Sequence, residues 1–541
     1  MEFVVWCWAV VVCGLHVSAG VHGREIGGTP RVEIPTLGKM LGTKELSGTG
    51  SNPYTAFRGI PYAHPPVGNN RFKPPEIHYA WPGILNASSY GPDCMQPSKI
   101  RGTSEDCLTL NVFVPRQVTQ GSQLPVFVFV RGGGFMNGGG SIEPDNLMDR
   151  GDIVLVTLNF RLGPFGLFTR AMSMSGSALA PWALRRNPRA DALYLGSSLG
   201  CNDPNPKALV ACLKEQPAEE IIKVQKKMTG SSGSAFHFVP VVDKHVLPDT
   251  PEILISKRKV QPVPWLTGRV RDEGLMGFTE EILFSPENLK KVDANWISYC
   301  PSLLEFQELD SERAAKRCAA IREFYFRERP IDYDSTYDFL EMIGDRWFEL
   351  PYAFSITFHS MIATTFGYKF NYQGSFAPIN TLYVKAVGMG QKSIIGAVAH
   401  GDDMQFLFYN EKKTHHRDAA VAKAFTDMVE SFVVYGEPKY VGTANGKGGY
   451  SMKWRPYDAI SGDFVHQLVD YPVRLETAEE ITNKIHFWED VLTDKFSHPS
   501  KAGIQMTEHI SVKSAPTGAP DNSAALPAAA HSFQNYSSIE Q

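Results

Sequence analysis

Two strand-like runs follow each other too closely in the middle of this 541-residue chain. Ile153–Phe160 is β-rich and mostly apolar, which is typical of a strand buried on both faces, and Ala171–Ser175 has the pattern of the end of a second strand. Parallel neighbours in one sheet need a crossover of about a dozen residues or more, usually a helix. Only Arg161–Arg170 lie between the two runs, and the glycines and proline of that stretch oppose helix formation. Either the strands are not parallel neighbours, or a segment is missing between them.

The composition excludes several classes of protein. With 43% hydrophobic and 11% aromatic residues, the chain has enough apolar side chains for a large globular core. The formal net charge is -4 and no basic patch stands out, so nucleic acid is not implied as a partner. The sequence has no metal-ligand cluster, phosphate loop or dinucleotide fingerprint, and Asp402-Asp403 is interpreted as part of a turn rather than as a metal site. No cofactor and no metal are therefore implied.

The two ends of the chain differ from its body. Phe3–Leu15 is an apolar run that is followed by small residues up to Ala19, as in a signal peptide, although Glu2 replaces the usual basic residue. We therefore expect a signal peptide over residues 1–19 and a secreted, extracellular protein. No later apolar run reaches the ~18 residues of a membrane span. Residues 497–541 are rich in Ser, Ala, Pro, Gly and Asn, which predicts a disordered tail.

The cysteines fit an oxidising environment. Removal of the expected signal peptide leaves six of the eight, an even number that suits disulfide bonds. Cys94 and Cys107 bracket one short polar loop, and Cys201 and Cys212 bracket another. Cys300 and Cys318 remain by elimination, and their pairing stays open. Asn86-Ala87-Ser88 and Asn535-Tyr536-Ser537 are sequons for N-glycosylation.

Strand and helix patterns alternate through the rest of the chain. Leu124–Val130 is an apolar run that leads directly into Gly132–Gly134, and open α/β sheets place their chemistry at this carboxyl end of a strand. The pattern predicts an α/β fold with large helical insertions. The predicted helical stretches are Arg189–Leu199, Ala218–Lys227, Pro286–Phe326 and Arg417–Tyr435.

Several short motifs together carry a family resemblance. The motifs are Gly59-Ile60-Pro61-Tyr62-Ala63, Glu105-Asp106-Cys107-Leu108, the triple glycine with Phe135, Asn159-Phe160-Arg161-Leu162-Gly163, Asp272-Glu273-Gly274, His400-Gly401-Asp402-Asp403, Tyr435-Gly436-Glu437-Pro438 and Phe487-Trp488. In combination they resemble the type-B carboxylesterases, the cholinesterase-like branch of the α/β-hydrolases, from about Pro30 to Leu492. The resemblance implies an α/β-hydrolase domain over residues 24–495, with a mostly parallel central sheet flanked by helices.

The family resemblance implies hydrolysis of small carboxylic esters by a Ser-His-Glu triad. By resemblance, His400 is the base, Glu273 is the acid that orients it, and the backbone N–H groups of Gly133 and Gly134 stabilise the oxyanion. Each residue also has a plainer interpretation, as a core histidine, a turn carboxylate or turn glycines, but the flanking motifs favour the triad. Arg131 departs from the family pattern, in which His or an aromatic residue is usual.

The attacking serine of the family is absent from this pattern. In the family, a long segment with a crossover helix, the nucleophile strand, the G-x-S-x-G elbow and a further helix precedes the strand matched by Ala171–Ser175. Here Gly166 is followed at once by residues that match the far side of that segment. We therefore interpret the chain as deleted between Gly166 and Leu167. Because the lost strand is central in the family's sheet, we expect an incomplete sheet with unpaired backbone groups, or an Ala171 strand that moves into the gap.

Three serines are candidate replacements, and none fits well. Ser198 lies in a G-x-S-x-G match, Gly196–Gly200, but no strand precedes it. Ser173 and Ser175 lie at a strand end without the glycines that let the elbow turn sharply. We therefore expect a carboxylic ester hydrolase by resemblance that is catalytically inactive.

An alternative is a non-catalytic cholinesterase-like protein that acts through surface contacts, although such members usually carry a membrane span or anchor, and none is visible here. The Cys94–Cys107 loop has no Trp, Tyr or Phe, which disfavours a choline ester because capture of that cation wants aromatic faces. The oligomeric state cannot be read from the sequence.

Overall fold

The computed structural model describes residues 29–494, apart from 49, 51, 97–101, 116–122, 134–136, 161–169, 232–235, 245, 277–278, 280–281, 284, 307–308, 376–395, 409–415, 444–448, 460–464, 472–473 and 478. The expected signal peptide and tail, the Asn535 sequon and the junction at Gly166 and Leu167 lie outside the described residues. Among the residues that are described, every helix falls short of the length and apolarity that crossing a bilayer requires.

Strands are concentrated in the first third of the described chain and then alternate with helices. They are β1 (Arg31–Ile34), β2 (Gly38–Leu41), β3 (Thr43–Leu46), β4 (Pro53–Pro61), β5 (Ile84–Asn86), β6 (Asp93–Cys94), β7 (Thr103–Ser104), β8 (Thr109–Pro115), β9 (Val126–Phe129), β10 (Val154–Leu158), β11 (Ala171–Met174), β12 (Trp265–Val270), β13 (Thr365–Phe370), β14 (Lys439–Thr443), β15 (Gly449–Lys453), β16 (Val465–Val469) and β17 (Arg474–Thr477).

The α-helices are α1 (Asp145–Met148), α2 (Pro188–Ser198), α3 (Pro206–Lys214), α4 (Ala218–Ser231), α5 (Pro251–Ser256), α6 (Pro286–Ala294), α7 (Trp296–Leu303), α8 (Ser311–Phe326), α9 (Thr336–Gly344), α10 (Leu350–Ser360), α11 (Asp402–Phe408), α12 (His416–Tyr435) and α13 (Glu479–Leu492). Asp345–Glu349 forms a π-helical turn between α9 and α10. The predicted helices at Arg189–Leu199, Ala218–Lys227 and Arg417–Tyr435 correspond to α2, α4 and α12 with small shifts at their ends.

Local sequence explains where several of these helices begin. At the start of α3, the Asn205 side chain accepts a hydrogen bond from the backbone N–H of Lys207 (2.9 Å). The first residue of the helix is Pro206, which has no N–H that would need a partner there. Asp310 caps α8 in the same way through the N–H of Arg313 (2.9 Å). One face of the long helix α12 is buried against the sheets. The buried residues recur at helical spacing and are Val421, Phe425, Met428, Val429 and Phe432.

The first of two five-stranded sheets has the order β3-β4-β8-β10-β9. Its strands pair antiparallel from β3 to β10, and β10 pairs with β9 in parallel, with Val154 opposite Val126. The second sheet has the order β11-β12-β13-β16-β17, and its first four strands are parallel. Only β17 runs antiparallel to its neighbour in that sheet. The mostly parallel pairing that the sequence predicts is therefore found in the second sheet.

The two strands on either side of the proposed deletion lie at the ends of separate sheets. Among the described residues, β9 has β10 as its one strand neighbour, and β11 has β12 as its one strand neighbour. The strand that begins at Ala171 has therefore not taken the place beside β9. Among the described residues, the alternative in which the Ala171 strand moves in is therefore not found, and the deletion itself stays a prediction.

Large apolar clusters fill the space between sheets and helices. One cluster joins both five-stranded sheets to α1, α11 and α12, with Phe113 and Leu155 from the first sheet and Leu266 and Tyr368 from the second. A second cluster lies among the helices from α6 to α10 and α13, around the fully buried Trp347. Burial of side chains of this size contributes roughly 1.5–3 kcal/mol each. The two sheets are thus held on one shared layer of helices.

Candidate functional site

Main-chain hydrogen bonds join the loop after β12 to the loop that precedes α11. The backbone N–H of Asp272 donates to the carbonyl of Val398 (3.0 Å), and the N–H of His400 donates to the carbonyl of Leu275 (3.1 Å). The Asp272 carboxylate in turn accepts from the N–H of Val398 (2.7 Å) and from the hydroxyl of Tyr337 (2.8 Å). These bonds fix the two loops side by side, although 127 residues separate the acid from the base.

Glu273 and His400 form a hydrogen-bonded pair in that frame. Glu273 Oε2 lies 2.6 Å from His400 Nδ1. The other carboxylate oxygen, Oε1, accepts from the backbone N–H of Val270 (2.9 Å) and from the Ser175 hydroxyl (2.5 Å). Because these contacts fix the carboxylate against Nδ1, the pair has the geometry of an acid that orients a base. It leaves Nε2, on the far side of the ring, as the nitrogen that is available for proton transfer.

The His400 ring is partly open to solvent. Its side chain is 37% exposed, whereas that of Glu273 is 4% exposed. Partial burial opposes protonation of the imidazole, but the Glu273 carboxylate outweighs burial and raises the pKa of His400 above its ordinary value. Among the described residues, the His400 ring makes its hydrogen bond to Glu273, and no hydroxyl or thiol donates to or accepts from it.

The three candidate serines have other positions. Ser175 directs its hydroxyl to the acid and not to the base, and its backbone is left-handed (φ 60°), followed by Gly176 (φ 83°). The Ser173 hydroxyl accepts from the indole N–H of Trp265 (3.1 Å). Ser198 is the exposed last residue of α2, just before the disulfide-bonded Cys201. No described hydroxyl therefore occupies the position of a nucleophile beside the imidazole.

The predicted oxyanion loop is described in part. Gly133 has φ 153°, and the backbone N–H of Asn137 donates to its carbonyl (3.0 Å), which closes a tight turn after β9. A Cβ atom on Gly133 would lie 1.8 Å from the carbonyl oxygen of Asn137, so only glycine fits there. Gly134 lies outside the described residues, and so does Phe135. The half-buried Arg131 lies between β9 and this turn.

An aromatic wall flanks the imidazole. The Phe348 ring lies 4.9 Å from the His400 ring, centroid to centroid. Trp182 contacts Phe348 (5.7 Å) and Phe236 (5.5 Å), and Phe236 contacts Trp347 (5.5 Å). No motif of the sequence pointed to these rings, because they come from three separate stretches of the chain. Phe348, Phe236 and Trp347 are buried, so the imidazole packs on the edge of the helical core.

Two buried carboxyl groups lie directly behind His400. Asp402 and Asp403 are each 1% exposed and form the first turn of α11, as the turn interpretation of this motif implies. Burial raises the pKa of Asp402 to about 7, and the negative charge of the neighbouring Asp403 adds a smaller increase. The hydrogen bond that Asp402 accepts from the N–H of Ala399 acts in the opposite direction and lowers the pKa. Burial also raises the pKa of Asp403 to about 6, against the hydrogen bond from the Tyr368 hydroxyl (2.8 Å).

These raised pKa values predict that stability falls as the pH rises. In the unfolded chain both carboxyls ionise near pH 3.8, whereas in the folded chain they hold protons up to about pH 6–7. Raising the pH from 5 to 8 is therefore expected to lower the free energy of unfolding by about 4 kcal/mol. D402N removes one of these ionisations, so the free energy of unfolding, measured by urea titration, should fall less between pH 5 and pH 8 than in the wild type. E312Q, at a side chain that is 77% exposed, is the control and should leave this pH dependence unchanged. An equal slope in D402N and wild type would contradict this account.

All six cysteines of the described residues are disulfide-bonded. The bonds are Cys94–Cys107, Cys201–Cys212 and Cys300–Cys318. The third, whose pairing was open at the level of sequence, joins α7 to α8 in the helical core, where both cysteines are fully buried. Within the same described ranges, no three His, Cys, Asp or Glu side chains converge on one point as a metal site would require.

Comparison with known proteins places this geometry in a family. The chain matches the model of the "Carboxylesterase family" over residues 28–169 and 165–488, two segments that meet at the short connection described above. It is similar to a carboxylic ester hydrolase of Bombus ignitus, with 27% identity over 85% of this chain and 94% of that protein. It is also similar to venom carboxylesterase-6 of Apis mellifera, with 27% identity over 81% of this chain and 90% of that protein. Juvenile hormone esterase of Tribolium castaneum is 28% identical over 74% of this chain and 83% of its own length. The motifs, the α/β architecture and the matched length agree: this chain belongs to the carboxylesterase family, whose fold is that of the α/β-hydrolases.

Proposed function

We propose that this protein is a carboxylesterase-family member that keeps the base and the acid of a serine hydrolase but has lost the attacking serine, and that it does not turn over esters. The observation that carries the proposal is the His400 imidazole, which is oriented by Glu273 while no described hydroxyl lies on it. Triad members act as a unit, so a base without a nucleophile loses nearly all covalent catalysis.

Three findings support the loss of a segment at Gly166 and Leu167. The family match is broken into two parts at residues 165–169. The alignment with the Bombus ignitus hydrolase extends over 544 positions, which is longer than the whole chain, yet it includes only 85% of the chain's residues. Many positions of that relative therefore face a gap in this chain. The separate edges of β9 and β11 are what the removal of a strand between them would leave.

The ligand class follows from the family. We propose that the site beside His400 receives a small carboxylic ester, or the corresponding acid, as the family assignment suggests. The Cys94–Cys107 loop has no aromatic residue that could bind a choline cation, which argues against a choline ester as the ligand.

A fluorophosphonate probe tests the lack of a nucleophile. Such a probe forms a covalent bond with an activated serine, so the purified chain is expected to remain unlabelled at concentrations that fully label an intact relative such as the Bombus ignitus hydrolase. S175A is the matched variant, since Ser175 is the hydroxyl nearest to the acid–base pair that the structure describes. Labelling of the wild-type chain that is abolished in S175A would overturn the proposal and would identify Ser175 as the nucleophile.

We further propose that the protein is secreted, with residues 1–19 removed. The apolar run at Phe3–Leu15, the three disulfide bonds and the likeness to a venom carboxylesterase support this. The Asn86 side chain is exposed at the end of β5, an edge strand of the sheet β1-β2-β5, so its sequon is accessible to the glycosylation machinery.

Glycosylation at Asn86 is expected in protein secreted from insect cells. Treatment with peptide N-glycosidase should lower the mass of the wild-type protein by one glycan more than it lowers the mass of N86Q. S88A, which keeps the asparagine but destroys the sequon, should behave as N86Q does. If all three proteins lose the same mass, Asn86 carries no glycan.

A further inference from the structure

The open edges of β9 and β11 are a feature that ester chemistry does not use. Within the described part of the chain, each of these strands is paired along one side only. The unpaired side of a strand presents backbone N–H and C=O groups that can pair with another chain. The two edges are therefore candidate binding surfaces, and the inference drawn from them rests on the proposed loss of the central strand.

The pairing pattern identifies the backbone groups on the open edge of β9. The N–H of Val154 donates to the carbonyl of Pro125 (2.9 Å), so the backbone carbonyl of Pro125 points toward β10. Because alternate residues of a strand address opposite edges, Phe127 and Phe129 also face β10. The N–H and C=O groups of Val126 and Val128 then face the open edge.

The same reasoning applies to β11. The N–H groups of Ala171 and Ser175 donate to carbonyls on the β12 side, Pro264 (3.0 Å) and Gly268 (2.9 Å). The alternate residues, Met172 and Met174, therefore direct their backbone groups to the open edge. Each open edge offers two residues with one donor and one acceptor apiece.

The residue types show that neither strand is built as an edge. Native sheets protect their edges with charged side chains, proline or bulges. The outer strands of this protein follow that rule, since β3 has the sequence TKEL and β17 has the sequence RLET. By contrast, β9 is VFVF and β11 is AMSM, with no charge and no proline in either. Strands of this kind are typical of the interior of a sheet, where both sides are paired.

Both strands lie on the same apolar layer. Phe129 is buried in the cluster formed with α1, α11 and α12, and Phe127, Met172 and Met174 pack against that cluster. The Phe129 ring lies 4.4 Å from the Phe408 ring at the end of α11. A segment that paired with these edges would therefore gain an apolar surface beneath it in addition to main-chain hydrogen bonds.

We propose that the open edges of β9 and β11 bind an extended, uncharged polypeptide segment of about five residues from a different protein, by addition of a β-strand. The length matches the four residues of each strand. The uncharged character follows from the surroundings, because a charged side chain placed beside the layer under Phe129 and Met174 would lose its hydration without a partner. Main-chain bonds supply affinity, and the apolar layer selects the side chains that alternate toward it.

Fluorescence anisotropy with a synthetic peptide tests this proposal on the full secreted chain. The probe is a fluorescein-labelled peptide with a core of alternating Val and Thr and a Lys at each end for solubility. Its control is the same peptide with N-methylated Val amides, which keeps the side chains but removes the donors along one edge. The unmodified peptide is expected to bind at micromolar concentration and at least ~10-fold more tightly than the methylated one. Equal binding of the two peptides would overturn the proposal.

Variants of Val128 locate the binding edge. V128P deletes the N–H that faces the open edge, whereas V128T keeps it in a side chain of nearly the same shape. V128P is expected to weaken binding at least ~10-fold and V128T about 2-fold or less. A thermal melt verifies that V128P folds, and if it does not, the comparison of the two peptides on the wild-type chain decides. A dimer in sedimentation velocity that V128P dissociates, without peptide binding, would assign the edges to a second copy and contradict the proposal.

This test is independent of the test of catalytic inactivity. If the fluorophosphonate probe labels the chain, the proposed function fails whatever the peptide does. If the chain stays unlabelled and the peptide does not bind, only the strand-binding proposal fails.

Discussion

Inserting the elbow segment of an intact relative between Gly166 and Leu167 is expected to raise the esterase activity of this chain by ~10³-fold or more. The insert consists of the residues of the Bombus ignitus carboxylic ester hydrolase that correspond to the proposed deletion. The physical reason is that the proposed base and acid are already paired. Glu273 holds His400 at 2.6 Å, the His400 side chain is 37% exposed, and the Gly133 turn follows β9. An activated serine supplies what this arrangement lacks.

The insert also restores the sheet. We expect the inserted strand to pair with β9 and β11, each of which has one strand neighbour among the described residues, and so to join the two five-stranded sheets. We therefore expect the inserted protein to unfold at a higher urea concentration than the wild type, because the backbone groups of Val128 and Met174 gain partners. Activity is measured as kcat/KM with a small chromogenic ester.

Two controls separate catalysis from repair of the fold. The same insert with its elbow serine replaced by alanine should raise the urea midpoint equally and give no activity. H400A in the inserted protein should lower kcat by a factor on the order of 10³, since the base is lost. An inserted protein that folds cooperatively and reacts with the ester no faster than the wild type would show that His400 and Glu273 do not form a catalytic pair.

Removing the Glu349 carboxylate is expected to cost the fold about 3–5 kcal/mol. Arg269 on β12 is 1% exposed, and its Nε donates to Glu349 Oε2 from the π-helical turn. The guanidinium lies 4.5 Å from the ring centroid of Tyr352, and neither Nη1 nor Nη2 has a hydrogen-bond partner among the described residues. E349L leaves this cation buried without its counter-ion, which is why the expected loss is large.

The double variant R269M/E349L is the matched control. It removes both charges and replaces them with apolar side chains of similar length, so it is expected to be more stable than E349L by about 2 kcal/mol or more. Urea unfolding of wild type, both single variants and the double variant measures the coupling free energy. A double variant that is no more stable than E349L would mean that the loss comes from packing of the Glu349 side chain and not from the unpaired Arg269.

The sequence by itself determined the local elements and singled out Glu273 and His400 as the proposed acid and base. Strand patterns such as Val154–Leu158 and helices such as α12 depend on the spacing of apolar residues, which is a local property. Glu273 and His400 were recognisable because short motifs surround them. The unusual connection after Phe160 was recognisable from chain length alone, since about ten residues cannot cross over a sheet.

Tertiary structure alone decided which partners these residues have. The sequence predicted one mostly parallel sheet, whereas the structure has two five-stranded sheets. The Ala171 strand pairs with β12 and not with β9, a choice that depends on contacts between residues far apart in the chain. Ser175 was considered only as a nucleophile, and the structure shows its hydroxyl on Glu273, a contact across 98 residues. The raised pKa values of Asp402 and Asp403 arise from burial under other elements, which no local pattern of residues records.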